Sequence, residues 1–260
     1  VVVTAFVIKG LYDFFRVSNE NKVKEMILSS KNFILKDIEI SDFGDEICFS
    51  YTPVQLDLVH NANLLGAEIL SIVNFLEPSD NLIDLAVKSL NYTVRRQNKD
   101  GSWYYRIDPK TNIPRKQIDF HQGYVLDSIK NCMNLLNYKD QMFTLSLGKG
   151  LEFYTKKQFK PDGTSYWRWP RYWPIEIHNQ SQGIITLCNH HSDKNNLLEV
   201  ANQIANYTIT KMQTNEGYFI YQKWPLYNNN IAYMRWSQAW MMLSLTKLLK
   251  KRGEKIETVN

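Results

Sequence analysis

The sequence predicts an all-α chain, an α/α toroid of helical hairpins with short β-strands in the turns between repeats. Three observations predict it. A glutamine, a turn and an aromatic pair recur: Gln97 with Asp100-Gly101-Ser102-Trp103-Tyr104, Gln158 with Asp162-Gly163-Thr164-Ser165-Tyr166-Trp167, and Gln213 with Glu216-Gly217-Tyr218-Phe219. Helix-like segments with polar starts follow at steps of 57, 60, 58 and 57 residues. Those segments alternate with helices of a different character. Internal repetition at a fixed period is the signature of stacked or ringed units.

The repeated segments are Thr4–Phe15, Asn61–Phe75, His121–Leu136, Asn179–Asn189 and Trp236–Leu249. Small or apolar residues surround them, as in Leu64-Leu65-Gly66-Ala67 and Ala239-Trp240-Met241-Met242-Leu243, which predicts buried inner helices. Between them lie Asn21–Leu35, Asp80–Gln97, Lys139–Gln158 and Lys194–Met212. In the second of these, Leu82, Leu85, Ala86, Ser89, Leu90 and Thr93 form one stripe at helical spacing, opposite Asp84, Lys88, Arg95 and Arg96. These are amphipathic outer helices, with Ser79 and Asp193 as expected N-caps. Two alternating layers make a ring or an open solenoid. The long period favours the ring, because the extra length sits in the aromatic turns. Strand-like alternation there marks Ile47–Tyr51, Ser102–Arg106, Ser165–Trp169 and Tyr218–Tyr221. Residues 1–260 read as one toroid domain. Val1–Ile8 reads as a helix already under way, so some N-terminal helices of the full ring are expected to be missing.

The composition is that of a globular chain, 44% apolar and 22% charged. Aromatics are in excess, with 7 Trp, 15 Tyr and 12 Phe. Part of that excess is core, and part suits a cleft that stacks on ring-shaped ligands. A net charge of +5 is a solvated lysine surface or, as the minority reading, an attraction for acidic ligands. No nucleic-acid module is visible, and no apolar run reaches membrane-spanning length. Cys48, Cys132 and Cys188 lack metal or CxxC spacing and read as buried thiols in a cytoplasmic protein. No metal or other cofactor is expected. Walker, dinucleotide, HExxH and GxSxG motifs are absent.

Polar residues gather at the inner-helix starts: His60-Asn61-Ala62-Asn63, Asp119-Phe120-His121-Gln122, Glu176 through Gln182, and Tyr233 through Gln238. Each singly is a cap or a turn former. Together they exceed what capping needs, and convergent polar groups at the mouth of an apolar ring form a ligand site. Asp119 beside His121 suits general acid/base work. Tyr233 adds a phenol and Arg235 a carboxylate clamp. Trp103, Trp169 and Trp173 lie in the turns, where an indole either stacks on sugar or locks the turn.

The run Gln97-Asn98-Lys99-Asp100-Gly101-Ser102-Trp103, with Lys88 and Tyr92, resembles the repeat of squalene-cyclase and protein-prenyltransferase toroids. The second repeat matches well and the next two loosely. That resemblance implies the fold. It does not imply the activity, since neither a DxDD run nor the prenyltransferase zinc ligands are present. Arg235-Trp236-Ser237-Gln238-Ala239-Trp240 resembles a stretch of unsaturated glucuronyl hydrolases, with Trp-Ser where those have Arg-Gly. Asp119 is similar in placement to their catalytic aspartate. The whole chain also resembles toroid proteins of surface-polysaccharide gene clusters.

These readings converge on a toroid protein that acts on an acidic poly- or oligosaccharide by hydrolysis, elimination or epimerisation. Asp119 or His121 is the expected acid/base, with His178 or Tyr233 opposing it. Arg235 is expected to hold the carboxylate. His60, Asn61, Asn63, Gln122, Gln182, Trp236, Gln238, Trp103, Trp169 and Trp173 are the expected binding residues. The rival is a non-catalytic carbohydrate-binding or scaffold toroid. A prenyl-ligand protein is a third reading, disfavoured by the His, Asn and Gln at the mouth. The substrate and the oligomeric state are not legible.

Overall fold

The computed structural model describes residues 1–192 and 196–253. In chain order the elements are α1 (Val2–Ser18), α2 (Asn21–Asn32) with a π-helical extension at Phe33–Asp37, β1 (Ile40–Asp42), β2 (Ile47–Phe49), β3 (Leu58–Val59), α3 (His60–Leu76) and α4 (Asp80–Val94). There follow β4 (Arg106–Ile107), β5 (Pro114–Arg115), α5 (His121–Leu135), α6 (Gln141–Lys157), β6 (Ile175–Glu176), α7 (Ile177–Asn189) and α8 (Leu197–Met212). The last are β7 (Gln222–Lys223), β8 (Asn228–Asn229), a π-helical turn at Met234–Ala239 and α9 (Trp240–Arg252). The chain divides into two compact units, Val1–Lys116 with Ser128–Gly150, and Gln117–Asp127 with Leu151–Asn260.

In the first unit α3 is buried along every face from His60 to Asn74. Its Leu65, Leu70 and Val73 share one core with Ala5, Ile8, Ile27 and Ile34. Gly66 is there because Phe49 leans on it: a Cβ would sit 3.0 Å from the ring. The expected stripe on α4 is the buried one, through Leu82, Ala86, Ser89, Leu90 and Thr93. Its outer face carries the Asp84–Lys88 pair at 2.9 Å. Such an exposed i,i+4 pair contributes only about 0.3–0.5 kcal/mol, so burial of the stripe is what holds the helix in place. Glu68 is buried and fully engaged, by Lys9 at 2.9 Å, Asn131 at 2.7 Å and Ser128 at 2.9 Å. A buried carboxylate is tolerable only with partners of that kind.

In the second unit α7 packs on α8 and on α9. Gly183 makes room for Phe159, whose Cζ would lie 2.4 Å from an added Cβ. Both units carry a three-stranded antiparallel sheet of the same design, β3-β4-β5 and β6-β7-β8. The strand leading into one inner helix pairs with the hairpin that precedes the next.

The acidic-residue–glycine turns, two Asp-Gly and one Glu-Gly, are one device used repeatedly. Gly101, Gly163 and Gly217 have φ of +93°, +85° and +92°, a region that residues with side chains rarely adopt and only with strain. Gln97 and Gln213 each donate to the carbonyl of their turn's glycine at 2.9 Å. A second device locks three of the turns to the helix that follows. Asn63, the fourth residue of α3, accepts the Phe49 N–H at 2.9 Å and donates to the Ser89 carbonyl at 3.0 Å. Gln180, the fourth of α7, accepts from the Ser165 N–H and donates to the Gly163 carbonyl, both at 2.9 Å. Gln238 brackets the backbone of Phe219 the same way at 2.9 and 2.8 Å. Asn63 and Gln238 therefore spend both ends of their amides on backbone.

Several expectations need correction. The strands do not fall on Ser102–Arg106, Ser165–Trp169 or Tyr218–Tyr221. Trp103 is wholly buried with its indole N–H on the Thr93 carbonyl at 2.9 Å, and pairing begins only beyond it, at Arg106. Ser165 and Phe219 make single bridges, to Phe159 and Gln213. The last inner segment is not one α-helix, since Met234–Ala239 is π-helical. Nor are all inner helices buried. Val3, Val7 and Val17 of α1, and Met242 and Leu243 of α9, are exposed. Ser79 holds the N-cap position of α4 but makes no capping bond. Asp193 lies outside the described residues. All three cysteines are free and buried.

Candidate functional site

Three successive helix starts in the second unit repeat one spacing of 57 residues: Asp119 and His121, Glu176 and His178, Tyr233 and Arg235. The first pair is a dyad. Asp119 Oδ1 lies 2.5 Å from His121 Nδ1 and accepts the His121 backbone N–H at 3.2 Å. Asp119 Oδ2 accepts from Gln117 Nε2 at 2.6 Å, and Arg168 Nε stands 3.9 Å away. The Asp119 carbonyl is itself held by Gln158 Nε2 at 2.9 Å, so the second of the three repeat glutamines secures this segment.

Burial pushes the Asp119 carboxyl up, but the charge and hydrogen bonds of His121 and the amide of Gln117 outweigh it and bring it below its ordinary 3.8. Asp119 is therefore ionised at neutral pH, 3% exposed and surrounded by donors. That makes it an orienting group. It holds a proton on His121 Nδ1, which leaves Nε2 as the basic nitrogen. His121 is the more accessible partner, with 19% of its side chain exposed.

His178 is held differently. Its Nε2 lies 2.6 Å from the Tyr124 hydroxyl, and its ring stacks on Phe120 at 4.0 Å and 13°. Phe120 also stacks on His121, at 4.2 Å. Burial first, then His121 and Arg235, drive His178 down to about 3, against a smaller upward pull from Asp119. It is neutral at pH 7 and accepts the Tyr124 proton.

Two residues of the site were not singled out from the sequence. Glu176 ends β6, and its Oε2 accepts Trp167 Nε1 and Gln222 Nε2, both at 3.0 Å. Burial raises its carboxyl above the ordinary 4.5, with Asp119 adding to the rise, while Gln222, Trp167 and Arg168 oppose it. Arg168 lies over the Trp167 ring at 4.3 Å, and Arg171 over the same ring at 5.7 Å. The signal for Glu176 was present in the repeat: Glu176-Ile177-His178 copies Asp119-Phe120-His121. Nothing in the sequence separates Arg168 from the other arginines.

The remaining expected residues fall in several places. Tyr233 packs against Tyr221 at 5.0 Å and Trp236 at 5.2 Å. Arg235 is exposed over Trp236 at 5.2 Å, and Trp236 is 40% exposed. Trp169 is edge-on to Tyr166 at 4.7 Å and Trp173 to Tyr172 at 4.8 Å, and both are partly buried. Gln122 is 3% exposed within α5. Gln182 is spent on Asp127 and Thr186, at 2.9 and 3.0 Å. His60, Asn61, Asn63 and Trp103 belong to the first unit, and all are buried. Among the described residues no group of three His, Cys, Asp or Glu could hold a metal ion, and no helix is long and apolar enough to cross a membrane.

His60 provides a test of this electrostatic picture. It is 2% exposed, with Nδ1 3.4 Å from Thr93 Oγ1. Burial, then Arg96, pushes it down from 6.5 to about 3. The unfolded chain binds this proton below 6.5 and the folded chain does not until about 3. Its contribution to stability is thus complete above the upper value and lost as pH falls through that window. The His60 Cε1 resonance should stay fixed from about pH 8 to 5. A midpoint near the ordinary histidine value would contradict it.

In sequence, the chain matches no known family and no curated protein. In structure it is similar to cellobiose 2-epimerase from Bacillus thermoamylovorans, with TM-score 0.72 and 10% identity over 96% of this chain and 70% of that one. It is similar to an α-mannanase of glycoside hydrolase family 76 from Bacteroides thetaiotaomicron, with TM-score 0.72 and 9% identity over 96% and 68%. It is also similar to unsaturated glucuronyl hydrolase from Streptococcus agalactiae, with TM-score 0.68 and 14% identity over 94% and 68%. At such identities the likeness is one of fold, and the fold is the α/α toroid of helical hairpins.

Proposed function

We propose that this chain is a carbohydrate-active enzyme that epimerises an acidic sugar, with His121 as the base that Asp119 orients. The observation that carries this is the 2.5 Å Asp119–His121 contact with a guanidinium beside it. Epimerisation at the carbon next to a carboxylate needs two things. A base must take the C–H proton, and a fixed cation must stabilise the charge that moves onto the carboxylate oxygens. His121 Nε2 supplies the first. Arg168, 3.9 Å from Asp119 and stacked on Trp167, supplies the second, the role the sequence suggests for Arg235. Aromatic faces at Trp167, Trp169 and Trp173 suit the apolar side of a sugar ring. The structural likeness to a sugar epimerase and to enzymes of glycoside cleavage is compatible with this chemistry.

A hydrolytic reading has one observation in its favour. Asp119 and Glu176 are carboxyls pushed in opposite directions, a combination that glycosidic cleavage uses. One experiment separates the readings. The protein is incubated in D₂O with glucuronate, galacturonate, mannuronate and their oligosaccharides. Deuterium at C5 together with the C5 epimer is the expected result. New reducing ends with no deuterium on carbon mean hydrolysis. A ligand-induced rise in melting temperature without either product leaves a binding protein and ends the proposal.

A further inference from the structure

We propose that Glu176 is the second proton-transfer group of this site, delivering a proton to the face of the sugar opposite His121. The inference rests on the epimerase reading above and adds the residue that completes it.

Glu176 and Asp119 occupy the same place in consecutive repeats, two residues before a histidine, yet they are wired differently. Asp119 turns inward on its own histidine. Glu176 ignores His178, which is engaged by Tyr124, and is fixed from outside by Trp167 and Gln222. Both of those donors fall on Oε2. Among the described residues no protein donor holds Oε1, the oxygen left to meet a ligand. A continuous chain joins the two carboxyls: Asp119 to Arg168 at 3.9 Å, Arg168 over Trp167 at 4.3 Å, and Trp167 Nε1 to Glu176 at 3.0 Å. The charged groups acting on it are Asp119 and Arg168, and the neutral Tyr221 hydroxyl is the neighbouring titratable group. Burial keeps Glu176 protonated to higher pH than an ordinary glutamate, as a proton donor requires.

The step balances without a co-reactant. His121 Nε2 takes the proton from the carbon beside the carboxylate as that C–H bond breaks. The electron pair moves into the carboxylate, where Arg168 faces it. The Glu176 proton then forms the new C–H bond on the other face. The resulting Glu176 carboxylate and the His121 cation return to their starting states by exchange with water.

The test is Glu176→Gln in D₂O with the hexuronates above. The amide oxygen still accepts from Trp167 and Gln222, so the fold is kept. Removal of the proton by His121 continues and its return to the second face fails. Deuterium should still enter the recovered substrate, while the epimer falls by about 100-fold or more. Glu176→Asp should restore part of the epimer and the fall of rate with rising pH, and Glu176→Gln should lack that fall. Equal loss of exchange and epimer marks a structural role and overturns the inference. So does wild-type product formation by Glu176→Gln, or an identical pH profile for both variants. If the wild-type protein neither exchanges nor epimerises any hexuronate, the epimerase reading itself has failed instead.

Discussion

In the Asp119→Asn protein, the proposed epimerisation of a hexuronate is expected to fall by about 10²–10⁴-fold with little change in melting temperature. The hydrogen-bond geometry explains the split. Gln117 donates to Asp119 Oδ2 at 2.6 Å, and its own Oε1 has no hydrogen-bond partner among the described residues. A flip of the Gln117 amide therefore accepts the N–H₂ of the substituted residue, while the remaining oxygen still faces His121 Nδ1. What disappears is the negative charge, and with it the stabilisation of a cationic His121, while the amide oxygen still accepts from Nδ1. His121→Ala should cost at least as much, since it removes the proposed base itself. The two losses are not expected to add, because both disable one unit. Rates of C5 deuterium exchange for the single and double variants check this. Unchanged rates in both single variants would sink the dyad.

Alanine at Gly163 is expected to destabilise the protein by about 3–6 kcal/mol, while alanine at Gly217 costs about 1–2 kcal/mol. The two glycines have nearly the same φ, +85° and +92°, so the backbone strain is shared. Their surroundings differ. A Cβ at Gly163 would lie 2.3 Å from the Gln203 carbonyl oxygen of α8, whereas Gly217 has nothing within 4 Å. Backbone cannot step aside as a side-chain tip can, so the Gly163 turn must lift off the helix it rests on. Gly101 is in the same position against Lys149 of α6, also at 2.3 Å. Thermal melts of the three alanine variants measure the difference. Equal shifts for Gly163 and Gly217 would mean that strain alone sets the cost.

The repeat made much of this protein readable. Polar starts at a common spacing brought out Asp119, His121 and His178, and the repeated glutamine and glycine turns brought out Gly101, Gly163 and Gly217. The same pattern misled on Asn63 and Gln238. A helix start needs few caps, so surplus amides looked available to a ligand. In the folded chain they close the preceding turn on its backbone, Asn63 on Phe49 and Gln238 on Phe219. Trp103 reads as a sugar-stacking face or as a lock for its turn, and it is the lock, with its indole N–H on the Thr93 carbonyl. An amide or an indole reads alike in either role, because its chemistry is the same toward a backbone group and toward a sugar.

Composition and period, which are local properties of the chain, determined the helical layers, the turn chemistry and the positions of the titratable pairs. Tertiary structure alone decided which pair is a dyad and which is split. Asp119 meets its histidine at 2.5 Å, whereas Glu176, in the same register, is drawn to Trp167 and Gln222. It also chose Arg168 as the cation beside the dyad. The reason is physical: protonation state and reach depend on burial and on partners far apart in sequence, and folding is what supplies both.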